Sequence, residues 1–353
     1  MRVFMLHSEP PDASAAVRAG HWVVGDWPGQ RVHRQVLLLG SGGLGTKGVF
    51  ARVVSTPQHL GLSAGEFFPT GLAGEMAGNQ RDDDALSVCF DGPPLDAPLD
   101  LLGASRVTLQ LSCDRPLGFV VARLCDVSPD GASVRIAHGM LNMCHRDSME
   151  DPAPMVPGLG VEVSFALDQM AYRLAPGHRP RLALSNSYWP FVWPSPEAVA
   201  LTVTAGSLDL PVHDGSGPEW QPPEAEMAKP CSHRVLRPRS DTRRVEVDAL
   251  TGQRSLIVEV DEGDCENLDH GLISGETLTE CWSILPDDPL SARVAIRYEQ
   301  RLSRADWRVR TLVESEMTAT VEDFRMQARL TAWEGGHVVF SQTRDDAVER
   351  RFV

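Results

Sequence analysis

Runs in which apolar and polar residues alternate one by one fill the first two-thirds of this sequence, and glycine or proline ends them at short intervals. "SRVTLQLS" (105–112), "GFVVARLCDV" (118–127), "SVRIAHGML" (133–141), "VEVSFAL" (161–167), "RLALSNS" (181–187) and "AVALTVT" (198–204) all read as strands, with turn signals such as "SPDG" and "APGHRP" between them. A period of two places alternate side chains on opposite faces of a sheet. No amphipathic helix intervenes, and no βαβ alternation is present. Many short strands without helices must bury their apolar faces on one another, which predicts an all-β chain built on a sandwich or jelly roll.

The stretch 213–240, "HDGSGPEWQPPEAEMAKPCSHRVLRPRS", is rich in proline and charge and lacks periodicity, so it reads as a linker. Beyond it the alternation is the clearest in the chain. Val294, Ile296, Tyr298 and Leu302 share one face of a run whose other face carries Arg293, Arg297, Glu299 and Arg301. Trp307, Val309, Val313 and Met317 alternate with Arg308, Arg310, Glu314 and Glu316, and Phe324, Met326, Ala328 and Leu330 repeat the device. This pattern predicts a second, smaller antiparallel β-meander domain over 241–353, with one face packed and one wet. Its arginine and glutamate faces are expected to be solvated cross-strand neighbours. The opening "MRVFMLHS" is strand-like, and "EPPDASAAVRAGHWVVGDWP" after it reads as a connection.

A chain of 353 residues suffices for two domains. The net charge of −15 argues against nucleic acid as a partner, because a phosphate backbone requires a basic face. No apolar run reaches the length of a membrane span, and the N-terminus lacks the apolar core and cleavage site of a signal peptide. The seven cysteines form no C-x-x-C pair and sit mostly in apolar runs, as buried thiols of a cytoplasmic protein would.

Five stretches invite a functional reading. Gly61-Leu62-Ser63-Ala64-Gly65 spells G-x-S-x-G, the nucleophile elbow of α/β-hydrolases. An elbow needs a buried strand before the serine and a helix after it, whereas "STPQHLGL" precedes Ser63 and "AGEFFPTGLAG" follows it. Pro69, Gly71 and Gly74 would break such a helix, so Ser63 is read as a chance match and no catalytic residue is assigned. "NMCHRDSMED" (142–151) gathers Cys144, His145, Asp147, Glu150 and Asp151 but fits no zinc spacing, and reads as a surface loop without metal. "SYWPFVWPSPE" (187–197) sets Tyr188, Trp189, Phe191 and Trp193 on a stiff loop, where aromatics either line a cleft or plug the end of a sandwich. "DEGDCENLDHG" (261–271) lacks EF-hand order and reads as a solvated turn, and "GSGGLG" (40–45) as a hairpin turn.

Three segments of the chain resemble a known family. "RLCDV" (123–127), "PDG" (129–131) and "LNMCHR" (141–146), then "PGHRPRLALSNSYWPFVWPSPE" (176–197), preceded by "QRDDDALSVCFDGPPL" (80–95), are similar to recurrent motifs of the CocE/NonD hydrolases, which include cocaine esterase and the X-Pro dipeptidyl-peptidases. The match is to their C-terminal jelly-roll domain, of galactose-binding-like type, and "LISGETLTECWSILPDDPLSARVAIRYEQRLSRADWRVRT" (272–311) resembles the further β domain of longer members. "RAGHWVVGDWP" (18–28) is similar to the connection leaving the hydrolase domain. The resemblance therefore implies four parts. Residues 1–40 would be a connecting segment with a first strand, 41–212 the jelly roll, 213–240 the linker and 241–353 the meander.

It also implies serine-hydrolase chemistry in an α/β-hydrolase domain that this sequence lacks, supplied by a separate polypeptide or lost by truncation. The chain is then expected to be inactive alone, to need no cofactor, and to shape a substrate cleft. His145, Arg146, Tyr188, Trp189 and Trp193 are the candidates for the cleft or the domain interface. A free-standing carbohydrate- or protein-binding jelly roll is the alternative, with Trp189 and Trp193 as the stacking residues.

Overall fold

In the computed structural model, every residue is described except Trp27, Pro28 and Ala73. The chain divides into two compact units, Met1–Pro223 with Phe352–Val353, and Glu224–Arg351.

The first unit contains β1 (Arg2–His7), β2 (Gly20–Val24), β3 (Val32–Gly40), β4 (Gly43–Leu44), β5 (Arg52–Val54), a short helix α1 (Arg81–Ala85), β6 (Val88–Asp91), β7 (Leu99–Cys113), β8 (Phe119–Val127), β9 (Ser133–Asn142), β10 (Val161–Leu174), β11 (Arg179–Ser185) and β12 (Leu201–His213). A large sheet runs β2-β1-β10-β7-β12-β3-β4, with β5 also on β12, and a small sheet runs β6-β11-β8-β9. These are the two layers of the expected jelly-roll sandwich. Alternation decides which side chains meet between them. Val107, Leu109 and Leu111 of β7, Val163 and Phe165 of β10 and Leu201 and Val203 of β12 are buried in one core with Val120, Ala122 and Leu124 of β8 and Leu182 and Leu184 of β11. Burying one such side chain contributes about 1.5–3 kcal/mol. Across β7 and β10, Arg173 stands directly opposite Asp100 and donates to both carboxylate oxygens at 2.6 and 2.8 Å.

Residues 1–40 do more than connect. β1 pairs in parallel with β10 and antiparallel with β2, and β3 pairs with β12, so three strands of this segment belong to the large sheet. β2 lies inside the stretch read as a connection, whose Trp27-Pro28 end is outside the described residues. The "GSGGLG" turn joins β3 to β4 in a hairpin, as expected.

The second unit is one antiparallel sheet of β13 (His233–Arg237), β14 (Ser240–Val247), β15 (Arg254–Asn267), β16 (Ile273–Leu285), β17 (Asp288–Arg304), β18 (Trp307–Ala319), β19 (Asp323–Glu334) and β20 (His337–Glu349). β13 and β14 both pair with β15, and the rest follow in chain order. Residues 214–232 carry no strand. The "DEGDCENLDHG" stretch is not a solvated turn: most of it lies in β15, broken by a bulge between Asp261 and Asp264. Cross-strand arginines make an acidic strand possible there, with Arg237 bonded to both Asp261 and Asp264. The apolar face is packed only in part. Leu256, Ile284 and Val294 are buried, but Val313, Met317 and Leu330 are half-buried, because the unit has no second layer of its own among the described residues. Among those residues, no helix is long and apolar enough to cross a membrane.

Candidate functional site

The small sheet is covered on both faces. Val120, Ala122 and Leu124 of β8 point into the sandwich, so Val121, Arg123 and Cys125 point out, yet all six are buried. The outer cover consists of the segment between β5 and β6 and the aromatic loop after β11. Leu60, Ala64, Val121 and Tyr188 form a small core of their own there, with Met140, Phe191 and Val192 packed against it.

A buried charge network ties this cover down. Arg123, fully buried, pairs with the Asp84 carboxylate at 3.1 Å and donates to Gln80 at 3.0 Å and Ser87 at 2.8 Å. Asp84 also accepts from Arg181 at 3.0 Å and Ser133 at 2.7 Å, and Arg181 grips Asp91 through two bonds of 2.6 and 2.8 Å. Successive residues of a helix point about 100° apart, so Asp83 on α1 faces another way and accepts from the backbone N–H of Gly61 at 3.2 Å. Burial pushes the Asp83 carboxyl above its ordinary range, although Arg123 and the backbone donors of Gly61 and Ser63 pull it down. Burial, with Asp84 nearby, also pushes the Cys89 and Cys125 thiols up to about 12, which leaves both inert as nucleophiles.

Ser63 is held by this network. It lies in the turn 58–63, and its carbonyl accepts from Gly78 N–H at 3.1 Å and Gln80 Nε2 at 2.8 Å. The preceding strand is the three-residue β5 and the next helix begins only at Arg81. An elbow needs a parallel sheet on one side and a helix on the other, and Ser63 has neither.

Above this base lies an aromatic face. Tyr188 is fully buried, accepts a hydrogen bond from Arg135 at 2.7 Å and meets Phe191 edge-on at 5.3 Å. Phe191 in turn contacts Phe67 at 5.5 Å and the His138 ring at 5.7 Å. The Nδ1 of His138 lies 2.5 Å from Asp168 Oδ2, which also accepts the His138 backbone N–H at 3.1 Å. Burial pushes the Asp168 carboxyl up, but these bonds and the imidazole hold it below the ordinary carboxylate range. That pairing fixes the ring and leaves Nε2 without a hydrogen bond to a described residue. Phe67 and Phe68, at 69% and 83% exposure, form the outer rim.

The sequence candidates divide between two loops. Trp189 is fully buried and meets Trp193 edge-on at 5.3 Å, so the aromatic loop buries Tyr188 and Trp189 in the cover of the small sheet and presents Phe191 and Trp193 only in part. A buried Trp189 offers no face for a sugar to stack on. His145 and Arg146 follow β9 at the end of a single helical turn (Met143–His145). Arg146 donates to the carbonyls of Met143 at 3.0 Å and Ala153 at 2.7 Å and so closes its own loop, while His145 Nδ1 is buried without a hydrogen-bond partner. Sequence reasoning missed His138 and Asp168. They are 30 residues apart on different sheets, and no spacing rule joins them.

The two-layer sheet topology and the braced turn at Ser63 define a jelly-roll β module. Residues 8–228 match the family of the X-Pro dipeptidyl-peptidase C-terminal non-catalytic domain. The chain belongs to that family, the C-terminal part of CocE/NonD-type hydrolases, as its motifs implied. A Mycobacterium bovis protein described as a serine esterase is 27% identical over 166 residues, 40% of this chain and 26% of that protein. The cocaine esterase of a Rhodococcus species is 27% identical over 120 residues, 34% of this chain and 20% of that enzyme. The matched stretches thus span about a quarter or less of these relatives. Among solved structures, an α-amino acid ester hydrolase (21% identity, TM-score 0.43, 50% of this chain and 36% of that one) is similar. So is a Staphylococcus aureus CocE/NonD hydrolase (13% identity, TM-score 0.42, 56% of this chain and 39% of that one).

Proposed function

We propose that this chain docks on an α/β-hydrolase domain, shapes its substrate cleft and hydrolyses nothing by itself. The hydrolase domain would be another part of a longer protein or a separate polypeptide. The observation that carries the reading is the match of residues 8–228 to a non-catalytic C-terminal domain, in a chain whose G-x-S-x-G is a braced turn. The exposed Phe67 and Phe68 and the oriented His138 supply the docking or cleft-lining face. In this reading Tyr188 and Trp189 support that face from beneath, Trp193 lies beside them, and His145 and Arg146 form a second contact loop. Residues 1–40 lead in from the hydrolase domain. A cytoplasmic setting belongs to the same proposal and agrees with seven free thiols.

Purified chain incubated with a p-nitrophenyl ester and with an X-Pro anilide should release product at the buffer rate, and a fluorophosphonate probe should leave it unlabelled. Turnover well above that rate, lost in Ser63→Ala, would overturn the inactive reading. An α/β-hydrolase chain should co-purify with it, and Phe67→Ala/Phe68→Ala should weaken the pair by about tenfold or more. Undiminished pairing by that variant would remove the aromatic face from the interface.

A further inference from the structure

The wet face of the second unit departs from its own charge pattern at one end. Elsewhere arginines meet carboxylates across the sheet: Arg297 stands opposite Glu314, and Arg293 donates to Glu316 at 2.6 Å. At the end near the β17–β18 turn, Arg301 stands directly opposite Arg310, and Arg308 follows two residues before Arg310 on the same face. Like charges directly opposite destabilise a sheet pair.

Those arginines line a cavity of about 590 Å³, together with Arg237, Asp264, Ile273 and Trp333. Four guanidinium groups thus face one carboxylate in the lining of this cavity. The acids nearby already serve the arginines. Asp264 accepts from Arg237 at 2.7 Å and from Arg301 at 3.3 Å, and Glu299 accepts from Arg301 at 3.1 Å and Arg297 at 2.9 Å. Burial pushes the Glu299 carboxyl up, but the arginines around it hold it below its ordinary range. The acids therefore brace the cationic wall and leave donors over. A guanidinium has five N–H groups, and Arg301 uses two of its own here. Arg310 lies 3.9 Å from Glu299, beyond hydrogen-bond reach, and stacks at 3.9 Å over Trp333, which fixes its plane. Arg308 forms no ion pair or side-chain hydrogen bond with a described residue. Planar guanidinium groups with free N–H pairs bind carboxylates through two bonds at once. Trp333 and Ile273 add apolar lining beside them, and the volume is that of an ordinary small-molecule site.

We propose that this pocket binds a small organic carboxylate, its head held by Arg308, Arg310 and Arg301 and its apolar body lying against Trp333 and Ile273. The site lies wholly in the second unit, so the inference stands apart from the hydrolase reading, and its test involves no hydrolytic activity.

The test is calorimetric titration of the full chain with 4-phenylbutyrate at low salt. A dissociation constant of about 0.1–1 mM is expected, weakening severalfold when salt is raised. Arg308→Gln/Arg310→Gln should weaken binding by about tenfold or more, and Trp333→Leu should weaken it with the charge intact. The neutral 4-phenylbutyramide should not bind, which tests the carboxylate without altering the protein. Absence of saturable binding to about 10 mM, a range that spans weak ligands, would overturn the proposal. So would equal binding of the amide or undiminished binding by the double variant. Inorganic phosphate binding as tightly as phenylbutyrate would overturn the organic body of the ligand.

Discussion

Replacing Arg123 by methionine tests whether the charge network holds the cover on the small sheet. Methionine keeps the unbranched stem and much of the volume but removes two hydrogen bonds and the buried ion pair with Asp84. Arg123 has 0% exposure and Asp84 5%, so solvent cannot take over the lost interaction. Breaking a buried ion pair from one side costs about 3–5 kcal/mol, against about 0–1 kcal/mol for a surface pair. Asp84 retains Arg181 at 3.0 Å, which argues for the lower end of that range. A domain of this size shifts its midpoint by about 2–4 °C per kcal/mol, so the transition of the first unit should fall by about 6–15 °C. Differential scanning calorimetry reads this directly, and the transition of the second unit serves as an internal reference. Removing both partners, Arg123→Met with Asp84→Leu, should recover part of the loss, since no buried charge is then orphaned. A drop below about 1 kcal/mol for Arg123→Met would show that water reaches the network, and the account of an anchored aromatic face would fail with it.

Two further variants probe the same region. Asp83 is held above its ordinary pKa by burial, so the folded chain binds a proton there more readily than the unfolded one. Its contribution is then fully present below the unfolded value of about 3.9 and is lost as pH rises through the folded value. Asp83→Asn should remove that loss, and melts from pH 5 to 8 should fall less steeply with pH than those of the parent. An unchanged slope would show that Asp83 is ionised throughout. Gly61 has φ +113°, and a Cβ on it would stand 2.5 Å from the Trp189 carbonyl oxygen, so Gly61→Ala should cost about 1–3 kcal/mol by thermal melt. A loss under about 0.5 kcal/mol would mean that the turn and the aromatic loop separate freely.

Several jelly-roll strands were legible because they carry the period-two pattern over seven residues or more, from "SRVTLQLS" on β7 to "AVALTVT" on β12. β8 shows where such reading thins out. Its "FVVARLCDV" is nearly all buried, because the small sheet has the sandwich core on one face and the aromatic cover on the other. A strand buried on both faces loses its alternation and reads only as an apolar run, so nothing in it says that Arg123 is an anchor. β2 escaped for the opposite reason. It is five residues long at a sheet edge, among prolines and small residues that signal a loop. Tyr188 and Trp189 were found as aromatics on a stiff loop, but whether they plug or line depends on how the 56–65 turn closes over them. The Arg301–Arg310 clash needed the register of β17 on β18, which hairpin length sets and composition does not.

The same logic explains how a serine motif arises without its chemistry. In an elbow the flanking glycines let backbone approach backbone closely at a tight turn. Gly61 and Gly65 meet that demand here, with φ of +113° and +76° and carbonyl oxygens 2.5 and 2.4 Å from where a Cβ would lie. The neighbours are the aromatic loop and residues 75–77 instead of a nucleophile's helix and sheet. The spelling reports a packing requirement, and the serine between the glycines contributes its backbone carbonyl to the brace. Catalysis would require the side chain as well, aimed at a base on an adjacent loop. In this chain the imidazole beside the aromatic face, His138, is already committed through Nδ1 to Asp168. In the proposed docking its Nε2 would face whatever covers Phe67 and Phe68, so a proposed binding face and a serine outside any elbow share one anchored region.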